Sequence, residues 1–210
     1  MNNSATATGL RGRQKEKRRA AIISAARQLF EALGYQATSM EAIAEAAEVG
    51  VATVYNYFGS KGKLAADILQ PEFQALYDQG DELLAAPAAD PVDGVLELIG
   101  IYRHFQDDWH SRRLLTAIIG PGLTPEPVLD ELTVNAEAQV KRQLDTLLNA
   151  YQQRKLLRAD VAMPDAAVIL FSVFNQHYIE YVTHDEIEFE DMSERMDRQL
   201  RLFVALMKPG

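Results

Sequence analysis

The sequence predicts an all-α fold of about nine helices, divided into a three-helix domain over residues 1–63 and a larger helical domain over residues 64–210. Three observations predict it. Apolar residues recur at spacings of three and four, with no convincing alternation of period two, so the signal for strands is missing. Glycine and proline punctuate the apolar runs at intervals suited to helices of ordinary length. The charge also divides with the chain. Residues 1–63 carry nine Lys or Arg against five Asp or Glu, net +4, whereas residues 64–210 carry twelve against twenty-five, net -13.

The first helix is carried by Ile22, Ile23, Ala26, Leu29, Phe30 and Leu33, a stripe along one face, and Gly34 stands where a left-handed C-terminal cap belongs. Thr38 to Glu41 reads as a capping box, Thr-x-x-Glu, opening a short helix through Met40, Ile43, Ala44 and Ala47. A turn at Glu48, Val49 and Gly50 leads to a third helix, about Val51 to Phe58, which stops at Gly59. Longer helices are expected at about 63–85, 92–109, 111–119, 126–154, 165–183 and 190–207. Pro71 should kink or interrupt the first of these, and Pro87, Pro91, Pro121 and Pro164 mark connections. The stretch Ala166–Tyr181 is apolar on most faces and needs cover from other helices or a second subunit.

A chain of 210 residues that is 48% hydrophobic can bury a real core. It contains no cysteine, which excludes disulfides, thiolate zinc sites and thiol nucleophiles. No apolar run reaches the roughly 18 residues of a membrane span and the first residues are unlike a signal peptide, so a soluble, cytoplasmic protein is expected. A basic head on an acidic body suits a chain in which only the head meets phosphate.

Thr38–Leu64 places two short helices about a tight turn, the spacing of a helix-turn-helix, whose second helix lies in the major groove while the first braces on the sugar-phosphate backbone. In the second helix Val54 and Phe58 can face inward, which leaves Ala52, Thr53, Tyr55, Asn56 and Tyr57 nearer the outside. Thr53 can meet a thymine methyl or a phosphate, Asn56 an adenine edge, and the tyrosine hydroxyls phosphate oxygens. Val51, by its spacing to Val54 and Phe58, suits the core. Before the first helix, Arg11, Arg13, Lys15, Lys17, Arg18 and Arg19, with glycines at 9 and 12, form a basic arm expected to be flexible until bound. It reads as a minor-groove or phosphate-tracking arm, or more plainly as a solvated tail. A palindrome read by two copies supplies specificity that one short helix lacks, so a homodimer on double-stranded DNA is expected.

Thr38, Ser39, Ile43, Ala44, Val49, Ala52, Thr53, Tyr55, Tyr57, Phe58, Ser60, Lys61 and Leu64 fall in register with the signature of the tetracycline-repressor-like (TetR) family, which residues 20–64 resemble. Leu157–Pro164 is a weaker likeness to that family's entry into its eighth helix. The resemblance implies a DNA-binding regulator, most simply a repressor released from a palindromic operator by a small molecule. It implies operator contacts by Thr53, Tyr57 and Lys61, with Ser39, next to Thr38, near the backbone at the start of the second helix, and Val51 turned toward DNA. It further implies a dimer through the last two helices, about 165–183 and 190–207, and an apolar effector pocket. Tyr102, Phe105, Trp109, Phe171, Phe174, His177 and Tyr178 are candidates to line that pocket; ordinary core packing accounts for the same spacing. Three positions depart from the signature: Glu48 replaces a turn glycine, Gly50 a capping serine, and Gly62 a common glutamate. If Glu48 takes a positive φ, weakened local order is expected.

Other clusters carry less. His104, Asp107, Asp108 and His110 could place two metal ligands on one helical face, and His177 with Glu180 invites the same reading. A polar helix end and a satisfied interface histidine are the simpler accounts, so neither a metal nor a cofactor is expected. No nucleophile–base pairing, phosphate-cradling loop or paired carboxylates stand in a convincing context, and a non-enzyme is expected. An alternative to a small-molecule effector is a protein partner docked on the C-terminal domain.

Overall fold

The computed structural model describes the backbone of residues 4–104, 127–184 and 186–210, and within these the side chains from residue 12 onward, residue 104 excepted. Eight helices and no strand occur among the described residues. They are α1 (Ser4–Leu33), α2 (Met40–Ala46), α3 (Val51–Phe58), α4 (Lys61–Ala85), α5 (Pro91–His104), α6 (Pro127–Gln153), α7 (Met163–Thr183) and α8 (Phe189–Leu206). The helix expected at 111–119 lies outside the described residues.

Two expectations are corrected here. The basic arm is not an irregular tail, because α1 runs unbroken from Ser4 through Gly9 and Gly12. Residues 13–21, Arg-Gln-Lys-Glu-Lys-Arg-Arg-Ala-Ala, are strong helix formers that outweigh two glycines costing about 1 kcal/mol each. Of the kink or break expected at Pro71, the break does not occur, because α4 spans Lys61–Ala85 with the proline inside. The missing N–H removes one hydrogen bond, to the carbonyl of Asp67, and packing on both sides holds the helix through it.

The head core brings together Ile22, Ala26 and Phe30 of α1, Ile43 and Ala44 of α2, Val54 and Phe58 of α3, and Leu64, Ala65, Ile68 and Leu69 of α4. Each fully buried Phe, Ile or Leu contributes about 1.5–3 kcal/mol. One member comes from far along the chain: Leu129, on the first turn of α6, is 3% exposed within this cluster, with Leu132 packed beside it. The body core joins Leu98 and Ile99 of α5, Leu144, Leu147, Leu148 and Tyr151 of α6, Leu170, Phe171 and Phe174 of α7, and Met192, Met196, Leu200 and Val204 of α8. Phe73 packs against both cores.

Two glycines set how closely the body helices approach. A Cβ on Gly80 would stand 2.7 Å from Cδ and 2.8 Å from Nε2 of Gln143, and one on Gly94 would stand 2.9 Å from Cζ of Tyr151. Gln143 enters the α4–α5–α6 junction fully buried. It accepts from the Tyr102 hydroxyl and donates to the Tyr77 carbonyl at 2.9 Å and to Asp81 at 2.7 Å. Tyr151 donates to the Ala88 carbonyl at 2.8 Å. Asp90 opens α5 by accepting from Val92 N at 2.7 Å, ahead of Pro91 at the first helical position, and also accepts from Lys208 Nζ at 2.6 Å.

Candidate nucleic-acid interface

α1 ends where its apolar stripe runs out, at Gly34, whose φ of 86° is free to a residue without Cβ and whose N–H bonds the Phe30 carbonyl at 2.9 Å. The capping residue of α2 is Ser39 rather than Thr38: its hydroxyl accepts from Ala42 N at 3.1 Å. Thr38 is 1% exposed and donates its hydroxyl to the carbonyls of Gly34 at 2.8 Å and Leu29 at 3.2 Å. It therefore fastens the end of α1 to the start of α2 and presents nothing to solvent, which removes it from the expected contact set.

The turn between α2 and α3 is a Schellman motif. Val49 N bonds the Ala44 carbonyl at 2.9 Å and Glu48 N bonds the Glu45 carbonyl at 3.1 Å, which requires a left-handed residue between them. That residue is Glu48, with φ of 53°. A side chain there costs about 1–2 kcal/mol, the strain its replacement of a turn glycine led us to expect. Gly50 then caps α3 with extended backbone and no side-chain bond.

On α3, Val54 and Phe58 are buried in the head core, as their spacing predicts. Ala52, Tyr55 and Asn56 are exposed, and Val51, Thr53 and Tyr57 are half-buried at the flanks. Val51 packs on the core and keeps part of its surface open. The Tyr57 hydroxyl donates to the Lys15 carbonyl at 3.2 Å, which sets α1 beside the C-terminal half of α3. Arg13, Lys15, Lys17 and Arg18 are exposed along this part of α1. Arg19 is turned inward: it pairs with Asp67 at 2.8 Å and lies 5.6 Å over the Phe58 ring. The Arg11 side chain lies outside the described residues. Lys61, expected at phosphate, instead donates to the backbone carbonyls of Tyr35 at 2.8 Å and Thr38 at 2.9 Å.

The expected pocket residues Tyr102, Phe171, Phe174, His177 and Tyr178 are all buried in the body core, while Phe105 and Trp109 lie outside the described residues. Phe171, Phe174 and Tyr178 form a ladder along α7, with centroids 6.3 and 6.1 Å apart, and Lys141 Nζ stands 4.4 Å over Phe171. Burial pushes the Tyr102 and Tyr178 hydroxyls above their ordinary range. Sequence reasoning missed Gln143, which bonds the Tyr102 hydroxyl. Its signal is a polar residue in the buried register of an amphipathic helix, beside Val140, Leu144 and Leu147. His177 shares a hydrogen bond with Gln199 at 3.1 Å and stands 3.8 Å from Glu180. No group of three potential metal ligands occurs among the described residues, and the side chains of the His104–His110 cluster lie outside them. Val168 and Ile169 on α7, with Leu202 and Leu206 on α8, are exposed, the last two at 63% and 65%.

Residues 22–68 match the model of bacterial regulatory proteins of the tetR family. The transcriptional repressor NicS of Pseudomonas putida is 27% identical over 172 residues, covering 79% of this chain and 78% of that protein. A TetR-family transcriptional regulator from Mesorhizobium loti shares the fold with a TM-score of 0.72 at 20% identity, covering 93% of this chain and 98% of the other. Thermus thermophilus FadR, a TetR-family repressor solved with lauroyl-CoA, does so with a TM-score of 0.68 at 23% identity, covering 91% and 96%. The capped α2–turn–α3 unit thus lies within a DNA-binding domain of the tetR family, and the all-helical body behind it has the fold of TetR-family regulators.

Proposed function

We propose that the chain is a repressor that binds a palindromic operator as a homodimer and is released by a small molecule held in its C-terminal domain. The observation that carries this reading is the outward face of α3. Ala52, Tyr55 and Asn56 are open to solvent on a helix whose opposite face, Val54 and Phe58, is locked into the head core. In this reading Val51, Ala52, Thr53, Tyr55, Asn56 and Tyr57 meet the major groove, and Ser39 meets the backbone at the start of α2. Arg13 follows phosphates from the exposed face of α1, and Arg11 is a second phosphate contact of the same arm. The exposed Val168, Ile169, Leu202 and Leu206 are the apolar centre of the subunit contact, a reading supported by their place on the last two helices.

The aromatic ladder of α7 supports a largely apolar effector, and lauroyl-CoA, bound by Thermus thermophilus FadR, supplies the first chemical class to try. Release by ligand is a population shift. Reversing a 99:1 bias takes a preference of about ten-thousandfold for the released conformer, roughly 5.5 kcal/mol.

The test is selection of duplexes from a random pool, followed by titration of the selected duplex in the presence and absence of lauroyl-CoA. The expected result is one palindromic duplex, bound with a stoichiometry of two chains. Asn56→Ala and Thr53→Ala should each weaken it by about tenfold, the loss of one base or phosphate contact. Failure to select any duplex at low salt would overturn the operator reading. Selection without response to acyl thioesters would move the effector search to other apolar molecules or to a docked protein.

A further inference from the structure

The geometry points to Lys61 as a positioning residue of the reading head, an internal tie between the α1–α2 turn and the start of α4, rather than a contact to DNA phosphate. This rests on the operator-binding reading above.

An ammonium carries three N–H donors and no acceptor. The Lys61 ammonium has three backbone carbonyls about it: Tyr35 at 2.8 Å, Thr38 at 2.9 Å and, more weakly, Gln36 at 3.4 Å. It also lies 4.4 Å from the centroid of the Tyr35 ring, within cation–π range. Tyr35 and Thr38 are themselves buried, so these acceptors are held in place by the head core and by the Thr38 hydroxyl bonds. Four electron-rich groups thus converge on one cation, the donor set of a small cation site filled by the protein's own side chain.

Helix electrostatics supply an independent argument. Lys61 is the first residue of α4, directly after the capping residue Ser60, whose hydroxyl accepts from Lys63 N at 3.1 Å. A cation there faces the positive end of that helix dipole, which is the wrong end for it. The turn after α1 supplies the compensation: Lys61 reaches across to the carbonyls of Tyr35, Gln36 and Thr38, which follow the negative end of that helix. The same lysine thus bridges the N-terminus of α4 and the turn between α1 and α2. The segment it grips, residues 35–38, ends one residue before Ser39, which starts α2. The tie therefore sets where α2 begins relative to α3 and α4. For Lys61 to reach a phosphate, it would have to surrender charge-assisted bonds that are among the strong ones in proteins.

Two substitutions on the full-length protein separate the roles. Arginine binds phosphate at least as well as lysine but offers a flat fork of five donors, unable to converge on carbonyls around a point. If Lys61 is the tie, Lys61→Arg and Lys61→Met both weaken binding to the duplex selected by the wild-type chain, by about tenfold or more. Both also leave unchanged the slope of log affinity against log salt. Amide hydrogen exchange of residues 35–39 in the free protein then rises in both variants. If Lys61 meets phosphate, Lys61→Arg binds as the wild type does, and Lys61→Met lowers the salt slope by about 1.8 for two contacts per dimer. Either of those results overturns the assignment, as does unchanged exchange of residues 35–39 in both variants. Hydrogen exchange needs no DNA, so failure of the wild-type chain to select any duplex counts against the operator reading and not against the tie.

Discussion

Replacing Gly80 with alanine puts one methyl group where the Gln143 carboxamide stands, 2.7 Å from Cδ and 2.8 Å from Nε2. In an exposed helix the same change would stabilise by about 0.8–1 kcal/mol through propensity alone. Here the carboxamide cannot step aside freely, because Gln143 is fully buried and held by Tyr102, the Tyr77 carbonyl and Asp81. Overpacking costs about 1–3 kcal/mol. Turning the carboxamide away leaves the buried Tyr102 hydroxyl without a partner, about 1–3 kcal/mol, while the Tyr77 carbonyl keeps its helix bond. Set against the propensity gain, the net loss is about 1–5 kcal/mol, read as a lowered urea midpoint with an unchanged m-value. Gln143→Ala alone should also destabilise, by emptying the junction and orphaning the Tyr102 hydroxyl. The double variant should lose less than the two single losses added together, because the new methyl occupies part of the vacated space. A neutral or stabilised Gly80→Ala, or strict additivity of the pair, would refute the claim that this glycine exists to admit the glutamine.

Two further outcomes follow from local geometry. Glu48→Gly relieves about 1–2 kcal/mol of left-handed strain and gives back about 0.4–1 kcal/mol through a freer unfolded chain. The melting temperature should rise by a few degrees, and a fall would show that the glutamate side chain contributes more than its strain costs. Acid should destabilise the body through two carboxylates. Hydrogen bonds from Arg142 and Gln143 hold Asp81 below its ordinary range, and those from Lys208 and Val92 N do the same for Asp90. A depressed carboxyl stabilises the fold above its unfolded value, about 3.9, and that contribution is lost as pH falls through the folded value. Urea midpoints should therefore hold between pH 7 and 5 and decline below about pH 4. The decline should be shallower in Asp81→Asn combined with Asp90→Asn, and an unaltered acid limb would refute the assignment.

What the sequence made legible is what local chemistry decides. The stripe from Ile22 to Leu33, the Gly34 cap, the inward pair Val54 and Phe58, and the left-handed burden on Glu48 all follow from spacing and backbone sterics, and each is present. Thr38 and Ser39 show where the reading reached its limit. Either can cap α2, and the choice falls to Ser39 because Thr38 is drawn to the carbonyls of Leu29 and Gly34 across a turn whose shape the sequence does not disclose. Lys61 was legible as a charge beside the head and illegible as a tie, since its partners are carbonyls, which leave no mark in a sequence. The helical arm was obscured by weighing Gly9 and Gly12 above the helix formers around them. Gln143 and Gly80 lie 63 residues apart and acquire meaning only when α4 and α6 come together.

The seat of Leu129 in the head core bears on how the protein is made. The DNA-reading unit looks like a compact N-terminal module, yet its core draws on a side chain 60 residues beyond Leu69, the last buried contribution from α4. At ribosomal speeds of about 5–20 residues per second, that is a delay of about 3–12 s during which the nascent head has its helices but one open flank. The same dependence limits transplantation: a head cut after α4 and joined to a foreign body would carry an apolar socket with nothing to fill it. An exchange between regulators would have to move the first turn of α6 together with the head.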